Sequence, residues 1–264
     1  MKKSWSILCL SVLTLGIIFF TRDNEYKSIE TSNIEEYQYE LSNDIIRDYE
    51  DIIIKKGNDD EKIIALTFDD GPDEVFTPQV LEILKKNDVK ATFFLVGENV
   101  KPNKEIVKRQ FEEGHEIGNH TYTHINVANW SYDKVYEEIT KTQEEIKEVI
   151  GIEPKLFRPP YRAISRNMCD IIKSKNMNII LWSNLDPRDW SNPGVYNIVN
   201  TIESKVENGN IILLHDYNNL RNSKSQTIQA LETVIPYLKE QGYKFVTISE
   251  MIDNLDKKDT QTQN

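Results

Sequence analysis

The stretch Lys62-Ile63-Ile64-Ala65-Leu66-Thr67-Phe68-Asp69-Asp70-Gly71-Pro72 decides how the rest of the chain is read. Its apolar run has strand length and ends at Gly71-Pro72, a pair that breaks regular structure, so it reads as a buried strand heading through the core. Two carboxylates stand where that strand emerges. Adjacent acids repel, and a carboxylate taken out of water costs several kcal/mol unless a cation, a proton or a donor compensates it. The partners must come from elsewhere in the chain.

Working outward, apolar runs near 63–68, 91–95, 115–118, 155–158, 178–182, 211–214 and 244–248 alternate with amphipathic segments. Thr77-Pro78 opens one helix and Gly114 closes another. Ser131 opens a long helix that ends at Gly151, and Ser165 opens the next. Seven strands in series fit a parallel α/β architecture, and the reading adopted is a distorted (β/α)7 barrel of the TIM-barrel type. An open doubly wound sheet would give the same string.

Polar residues cluster just past the strand ends: Asp69 and Asp70 after the first, His120 and His124 after the third, Arg158 after the fourth, Asp186 after the fifth and His215 after the sixth. In barrel-like folds the carboxyl ends of the strands open onto one face, which brings such residues together. Three of the chain's four histidines fall at these positions. His120-Thr121-Tyr122-Thr123-His124 has the spacing at which two imidazoles can grip one cation. Two histidines and a carboxylate with an open position form a pattern of catalytic zinc sites and of other divalent metals. One acid would then bind the ion and leave the other free as general base toward a water made more acidic by the ion.

The 264 residues carry a formal charge of −11 and no clustered Lys and Arg, which disfavours nucleic acid as a partner. Cys9 and Cys169 are the only cysteines, so a disulfide within the folded part is excluded and neither fits a metal-binding spacing. Lys2 and Lys3 precede an apolar stretch from Trp5 to Phe20, and residues 1–21 read as a membrane anchor with the remaining chain outside; the first alanine is Ala65, so no small-x-small cleavage pair follows the run. Cleavage there would instead give a secreted protein. Residues 22–61 hold thirteen acids against five Lys or Arg and read as a solvated, partly helical stalk, with Ile34, Tyr37, Leu41, Ile45, Tyr49 and Ile52 along one face. The catalytic domain is expected over 62–255, with a polar tail at 256–264 and a monomeric state.

Five motifs now combine: TFDDGP at 67–72, HTYTH at 120–124, RPPYR at 158–162, DPRDW at 186–190 and LLHD at 213–216. In order and spacing they resemble the polysaccharide deacetylases, the NodB-homology domain of carbohydrate esterase family 4, over about residues 62–250. The resemblance implies that Asp69 is the general base and that Asp70, His120 and His124 hold one divalent metal ion, Zn²⁺ first, with Co²⁺ or Mn²⁺ as alternatives. It implies that Arg158 orients Asp69, that the Tyr161 backbone N–H faces the oxyanion, and that His215 is the general acid. Asp186 takes the role of the carboxylate behind His215, while Trp190 and Leu213 form the apolar wall around acetyl group and sugar. Asp189, three residues later, is ambiguous, and a cap on the turn before Trp190 is its alternative role. His115 and Trp182 read as structural, and Arg162 departs from the glycine common at its position, where a cation would narrow the groove or meet an acidic substituent.

The implied activity is removal of acetyl from N-acetylhexosamine residues of a cell-wall polysaccharide, peptidoglycan first. Chitin oligomers, poly-N-acetylglucosamine and O-acetylated xylan are alternative substrates of the same chemistry. A wall-binding module that has lost turnover is the alternative from a different class. A two-metal phosphatase is disfavoured, since it would need more carboxylates and histidines than the chain supplies.

Overall fold

The computed structural model describes residues 42–217 and 225–262, and for 256–262 the backbone alone. Two compact units are distinguished, Met1–Asp48 and Tyr49–Asn264. In the first, residues 42–48 are helical. The anchor expected at 1–21, and Ile34, Tyr37 and Leu41 of the stalk stripe, lie outside the described residues. Among the described residues no helix is long and apolar enough to cross a membrane.

In the larger unit all seven expected strands form: β2 (Ile63–Asp69), β3 (Thr92–Leu95), β4 (Glu116–Asn119), β5 (Leu156–Phe157), β6 (Asn178–Ile180), β7 (Ile211–His215) and β8 (Lys244–Phe245). An additional short strand, β1 (Ile53–Ile54), was not expected. All pairings are parallel, in the order β1-β6-β5-β4-β3-β2-β7, with β8 beside the start of β2. The sheet curls into a half-barrel. Past β6 the chain leaves β1 and turns toward β7, where the Ser183 N–H donates to Ile211 O at 3.2 Å and the Leu213 N–H to Leu185 O at 3.4 Å. This irregular seam narrows the gap and gives the distorted barrel its form.

β1 moves the start of this unit upstream of residue 62. The run that read as the end of an acidic stalk contains Ile52-Ile53-Ile54, and β6 is an edge whose backbone groups need partners; Ile179 donates to Ile52 O at 2.7 Å and Leu181 to Ile54 O at 2.9 Å. The charge count over 22–61 hid three consecutive isoleucines. At the other end, the segment read as a polar tail continues a helix, Ile248–Thr262.

Every residue of β2 is buried, because its two faces meet different cores. Ile64, Leu66 and Phe68 pack outward against the helices, whereas Ile63 and Ala65 point into the barrel with Phe94, Leu156, Ile180 and Ile211. Ile248 and Met251 belong to that inner cluster and plug the barrel's amino end. Capping follows the sequence signals: Ser131 accepts from the Lys134 N–H, Gly151 closes helix Tyr132–Ile150 at φ 82°, and Ser165 accepts from the Met168 N–H. The register sets Asp69 opposite His215 at the carboxyl end of the sheet.

Candidate active site

A cleft of about 490 Å³ opens at the carboxyl ends of the strands. Every residue given a catalytic, metal-binding or substrate-binding role from the sequence lines it except Arg158: Asp69, Asp70, His120, His124, Tyr161, Asp186, Trp190, Leu213 and His215. Arg158 lies beneath it, fully buried.

Asp70 sits one residue past β2 at φ 74°, which turns its carboxylate away from that of Asp69. Its Oδ1 lies 3.1 Å from His124 Nε2 and 3.5 Å from His120 Nε2. One donor atom from each of the three residues falls within 4.8 Å of the others. Asp70 Oδ1 is buried without a hydrogen-bond partner, a cost that a cation would remove. His120 Nδ1 lies 2.7 Å from the Arg158 carbonyl oxygen, so Nδ1–H donates and the Nε2 lone pair faces Asp70. His124 Nδ1 is 3.0 Å from the Tyr161 hydroxyl. Two imidazole nitrogens and one carboxylate oxygen suit a borderline divalent ion. The residues fit a metal.

The loop carrying these histidines is itself held in place. Thr121 (φ 65°) and His124 (φ 55°) adopt left-handed conformations, unusual for a β-branched residue in particular. Glu138, a buried acid on helix Tyr132–Ile150, accepts from the Tyr122 N–H at 2.9 Å, the Thr123 N–H at 2.7 Å and the Thr123 hydroxyl at 3.0 Å. Sequence reasoning missed Glu138. Its signal was present, since it interrupts the inward stripe of Val135, Ile139, Thr142 and Ile146 with an acid.

Asp69 is buried, with Oδ2 3.8 Å from His120 Nε2 on the side of the triad and Oδ1 turned to Arg158. Its Oδ1 accepts from Arg158 Nη1 at 2.7 Å, and the same nitrogen lies 2.7 Å from Thr67 Oγ1. Arg158 Nε donates to Ile180 O at 3.2 Å, and its guanidinium stacks on Phe94 at 4.1 Å. Burial lowers the Arg158 pKa and the Asp69 carboxylate opposes that shift. The stacking depends on Gly118, where a Cβ would stand 2.4 Å from the Phe94 ring. Tyr161 (φ 59°) and Arg162 (φ 57°) are consecutive left-handed residues, each costing roughly 1–2 kcal/mol in such a conformation.

The structure corrects the assignment of Asp186. His215 Nδ1 lies 2.8 Å from Asp189 Oδ1, and the His215 N–H and the Thr227 hydroxyl both donate to Asp189 Oδ2, at 2.9 and 2.7 Å. Asp186 instead accepts from the Arg188 N–H at 2.7 Å, the turn-capping role suggested for Asp189. Left-handed turns at Arg188 (φ 55°) and Asn192 (φ 54°) fold the one-turn helix Asp189–Ser191 inward and present Asp189 to the end of β7. Two acids three residues apart on one loop cannot be ranked by spacing. Burial would lower the His215 pKa, but the Asp189 carboxylate, with Asp70 and Asp69 further off, brings it up to about 9.

Trp190 stands 53 % exposed at the rim and Leu213 is buried at the floor. Trp182, read as core, is half-buried and forms one wall of the cleft. His115 is buried away from the cleft, accepts from the Ala91 N–H at 3.2 Å, and is pushed down to about 4 by burial.

A barrel mouth holding a candidate three-ligand metal site, a free carboxylate and a charged histidine defines a hydrolytic centre, and comparison with known proteins gives its family. The chain belongs to the polysaccharide deacetylases: residues 56–180 match the family described as Polysaccharide deacetylase, and a Bacillus cereus peptidoglycan-N-acetylglucosamine deacetylase is 46 % identical over 193 residues, 73 % of this chain and 89 % of the relative. A crystal structure of a peptidoglycan N-acetylglucosamine deacetylase in complex with 4-naphthalen-1-yl-N-oxidanyl-benzamide superposes with TM-score 0.72 at 40 % identity, covering 76 % of this chain and 92 % of that one. A pseudoenzyme of carbohydrate esterase family 4 from Bacillus anthracis superposes with TM-score 0.70 at 35 % identity, covering 76 % and 69 %.

Proposed function

We propose that the protein is a metal-dependent N-deacetylase of cell-wall polysaccharide, with N-acetylglucosamine residues of peptidoglycan as its substrate. One observation carries the reading: a single cleft brings the Asp70, His120 and His124 triad together with Asp69 on one side and the His215–Asp189 pair on the other. The names of the similar proteins support the choice of glycan.

Asp70, His120 and His124 would hold a divalent ion, Zn²⁺ in this reading and Co²⁺ or Mn²⁺ as alternatives, which would supply Lewis acidity toward the acetamide carbonyl and the attacking water. Asp69, held by the Arg158 guanidinium at 2.7 Å, takes a proton from that water as its oxygen adds to the carbonyl carbon. The Tyr161 N–H faces the oxygen that gains charge, and its left-handed turn is the strain stored for that purpose. His215, charged at neutral pH through Asp189, gives its proton to the glucosamine nitrogen as the C–N bond breaks. Acetate and a free amine result. Trp190 and Leu213 wall the methyl group and sugar ring from water.

A family pseudoenzyme among the structural neighbours makes loss of turnover the second reading. The presence of both the three ligands and the free Asp69 favours activity. Residues 1–21 are read as holding a monomeric domain at the outer face of the membrane, a reading supported by Lys2 and Lys3 ahead of the apolar run.

The test is release of acetate and free amine from purified peptidoglycan, chitin oligomers and poly-N-acetylglucosamine. Activity is expected on peptidoglycan, abolished by chelation and restored by Zn²⁺. Asp69→Asn should keep its metal and lose about a thousandfold or more in kcat, whereas Asp70→Asn should lose the metal. Full activity of metal-free protein, or equal metal loss in the two variants, would refute the mechanism.

A further inference from the structure

Beside the cleft lies a second hollow of about 590 Å³, and Trp182 is a wall of both. Tyr161 and Arg162 are adjacent, yet Tyr161 lines the cleft and Arg162 lines the hollow. Lys55, Lys56 and Lys205 complete its basic lining, against a single acid, Glu207. Lys56 is already satisfied, 2.6 Å from Asp59 and 3.4 Å from Glu207.

Lys55, Arg162 and Lys205 have no carboxylate partner among the described residues. In a chain with 43 acids and 32 Lys or Arg, three unpaired cations around one hollow are not what a solvated surface of mixed charge would give. Arg162 is the central member. It donates to the Trp182 carbonyl oxygen at 2.8 Å and stacks over the Trp182 ring at 5.0 Å, which fixes the guanidinium between the two cavities. Burial and the nearby Arg158 both act against its charge, and no acid relieves it. Such a cation gains most from an incoming anion with the planar geometry of a carboxylate. Ser183 and Asn184, also on the lining, add neutral donors.

We propose that this hollow is a second recognition site, taking a carboxylate carried on a sugar neighbouring the one whose acetamide enters the cleft. The inference rests on the deacetylase reading above and narrows its substrate to acidic glycans. In peptidoglycan that carboxylate has two sources, the lactyl group of muramic acid once its peptide is removed and the acids of the attached peptide.

The experiment uses the full chain loaded with Zn²⁺ and three strands of equal length: neutral N-acetylglucosamine oligomer, peptide-stripped glycan and peptide-bearing glycan. The ratio of kcat/KM on an acidic strand to that on the neutral oligomer should fall roughly tenfold to hundredfold in Arg162→Gln, mostly through KM, as expected for loss of a hydrogen bond to a charged group. It should also fall with added salt, more steeply in wild type than in the variant, which keeps Lys55 and Lys205. The double change Lys55→Gln with Lys205→Gln touches exposed side chains alone and should lower the ratio in the same direction, which covers a failure of Arg162→Gln to fold. The acidic strand whose ratio falls identifies the source of the carboxylate. Calorimetric titration of the same strands into Asp69→Asn protein reads the hollow without turnover, and acidic strands should bind at least tenfold more tightly than the neutral one. Ratios and affinities that ignore charge would overturn the proposal even with normal acetate release, whereas absence of acetate from every strand would count against the deacetylase reading alone.

Discussion

The two ends of the barrel obey different rules. At the amino end Ile248 and Met251 fill the interior, Thr92 Oγ1 accepts from the Ile248 N–H at 3.0 Å, and Glu116 accepts from the Ser249 N–H at 3.0 Å and from the Ser249 hydroxyl. At the carboxyl end an oxygen of Asp70 and a nitrogen of Arg158 are buried without partners, and Asp69, Asp70 and Arg158 share one small volume. Backbone conformation differs as well. Asp88 and Asn176, types that tolerate positive φ, sit in turns beyond helix ends, while the mouth holds Thr121, His124, Tyr161 and Arg162 there. One end is built for closure, and the other keeps strain and uncompensated charge where ligand and substrate would relieve them.

The sharpest way to break this contrast is to remove charge at the mouth while keeping shape. His215 is raised to about 9, so it carries its proton below that pH and loses it as pH rises through the value. Asp189→Asn removes the raising influence and leaves burial, which lowers the pKa, so the acid form survives only at lower pH. The alkaline limb of kcat/KM should move down and activity at pH 8 should fall roughly a hundredfold to a thousandfold. Asp186→Asn, which loses a turn bond, should cost less than tenfold and leave the limb in place. A larger loss in Asp186→Asn would return the supporting role to that residue.

A smaller effect is expected one layer back. Glu138→Gln keeps the volume of the buried acid but weakens its hold on the Tyr122 and Thr123 N–H groups, and the loop between the two histidines should loosen. The Zn²⁺ dissociation constant should rise roughly tenfold to hundredfold, the range seen when groups behind metal ligands are changed. With saturating Zn²⁺, kcat should return to within a few-fold of wild type. An unchanged metal affinity would show that the left-handed loop holds itself.

How much of this was legible in sequence follows from the same contrast. Seven strands, their parallel order and the caps at Ser131, Gly151 and Ser165 rest on local pattern, and the structure contains them. The residues that gather at the mouth were legible as well, Asp69, Asp70, His120, His124, Asp186 and His215 from their places at strand ends and Tyr161, Trp190 and Leu213 from the family resemblance. What escaped depends on loop conformation or on one residue against its stripe. Asp189 exchanged roles with Asp186 because turns at Arg188 and Asn192 decide which acid faces β7. β1 was masked by acidic neighbours, and Trp182 read as core because a large aromatic at the end of an apolar run usually packs inside, whereas half of it is exposed to the cleft.

The smallest expected effect on turnover comes from damage at the opposite end. Met251 is fully buried in the inner cluster, and Met251→Ala should leave a cavity costing roughly 2–5 kcal/mol of stability. The mouth is tied together by its own bonds, from Arg158 to Asp69, from Asp189 to His215 and from Glu138 to the histidine loop, and none of these passes through Met251. A chain that remains folded at 25 °C should therefore keep its kcat and its metal affinity while its melting temperature falls. A kcat that dropped in step with stability would mean that the plug sets the mouth's geometry through the shared inner cluster, where Phe94 beneath Arg158 packs in the same group as Met251. Phe94 is the fully buried member of that cluster whose ring face meets the Arg158 guanidinium, so Phe94→Leu in the Met251→Ala background would tell whether coupling runs through it.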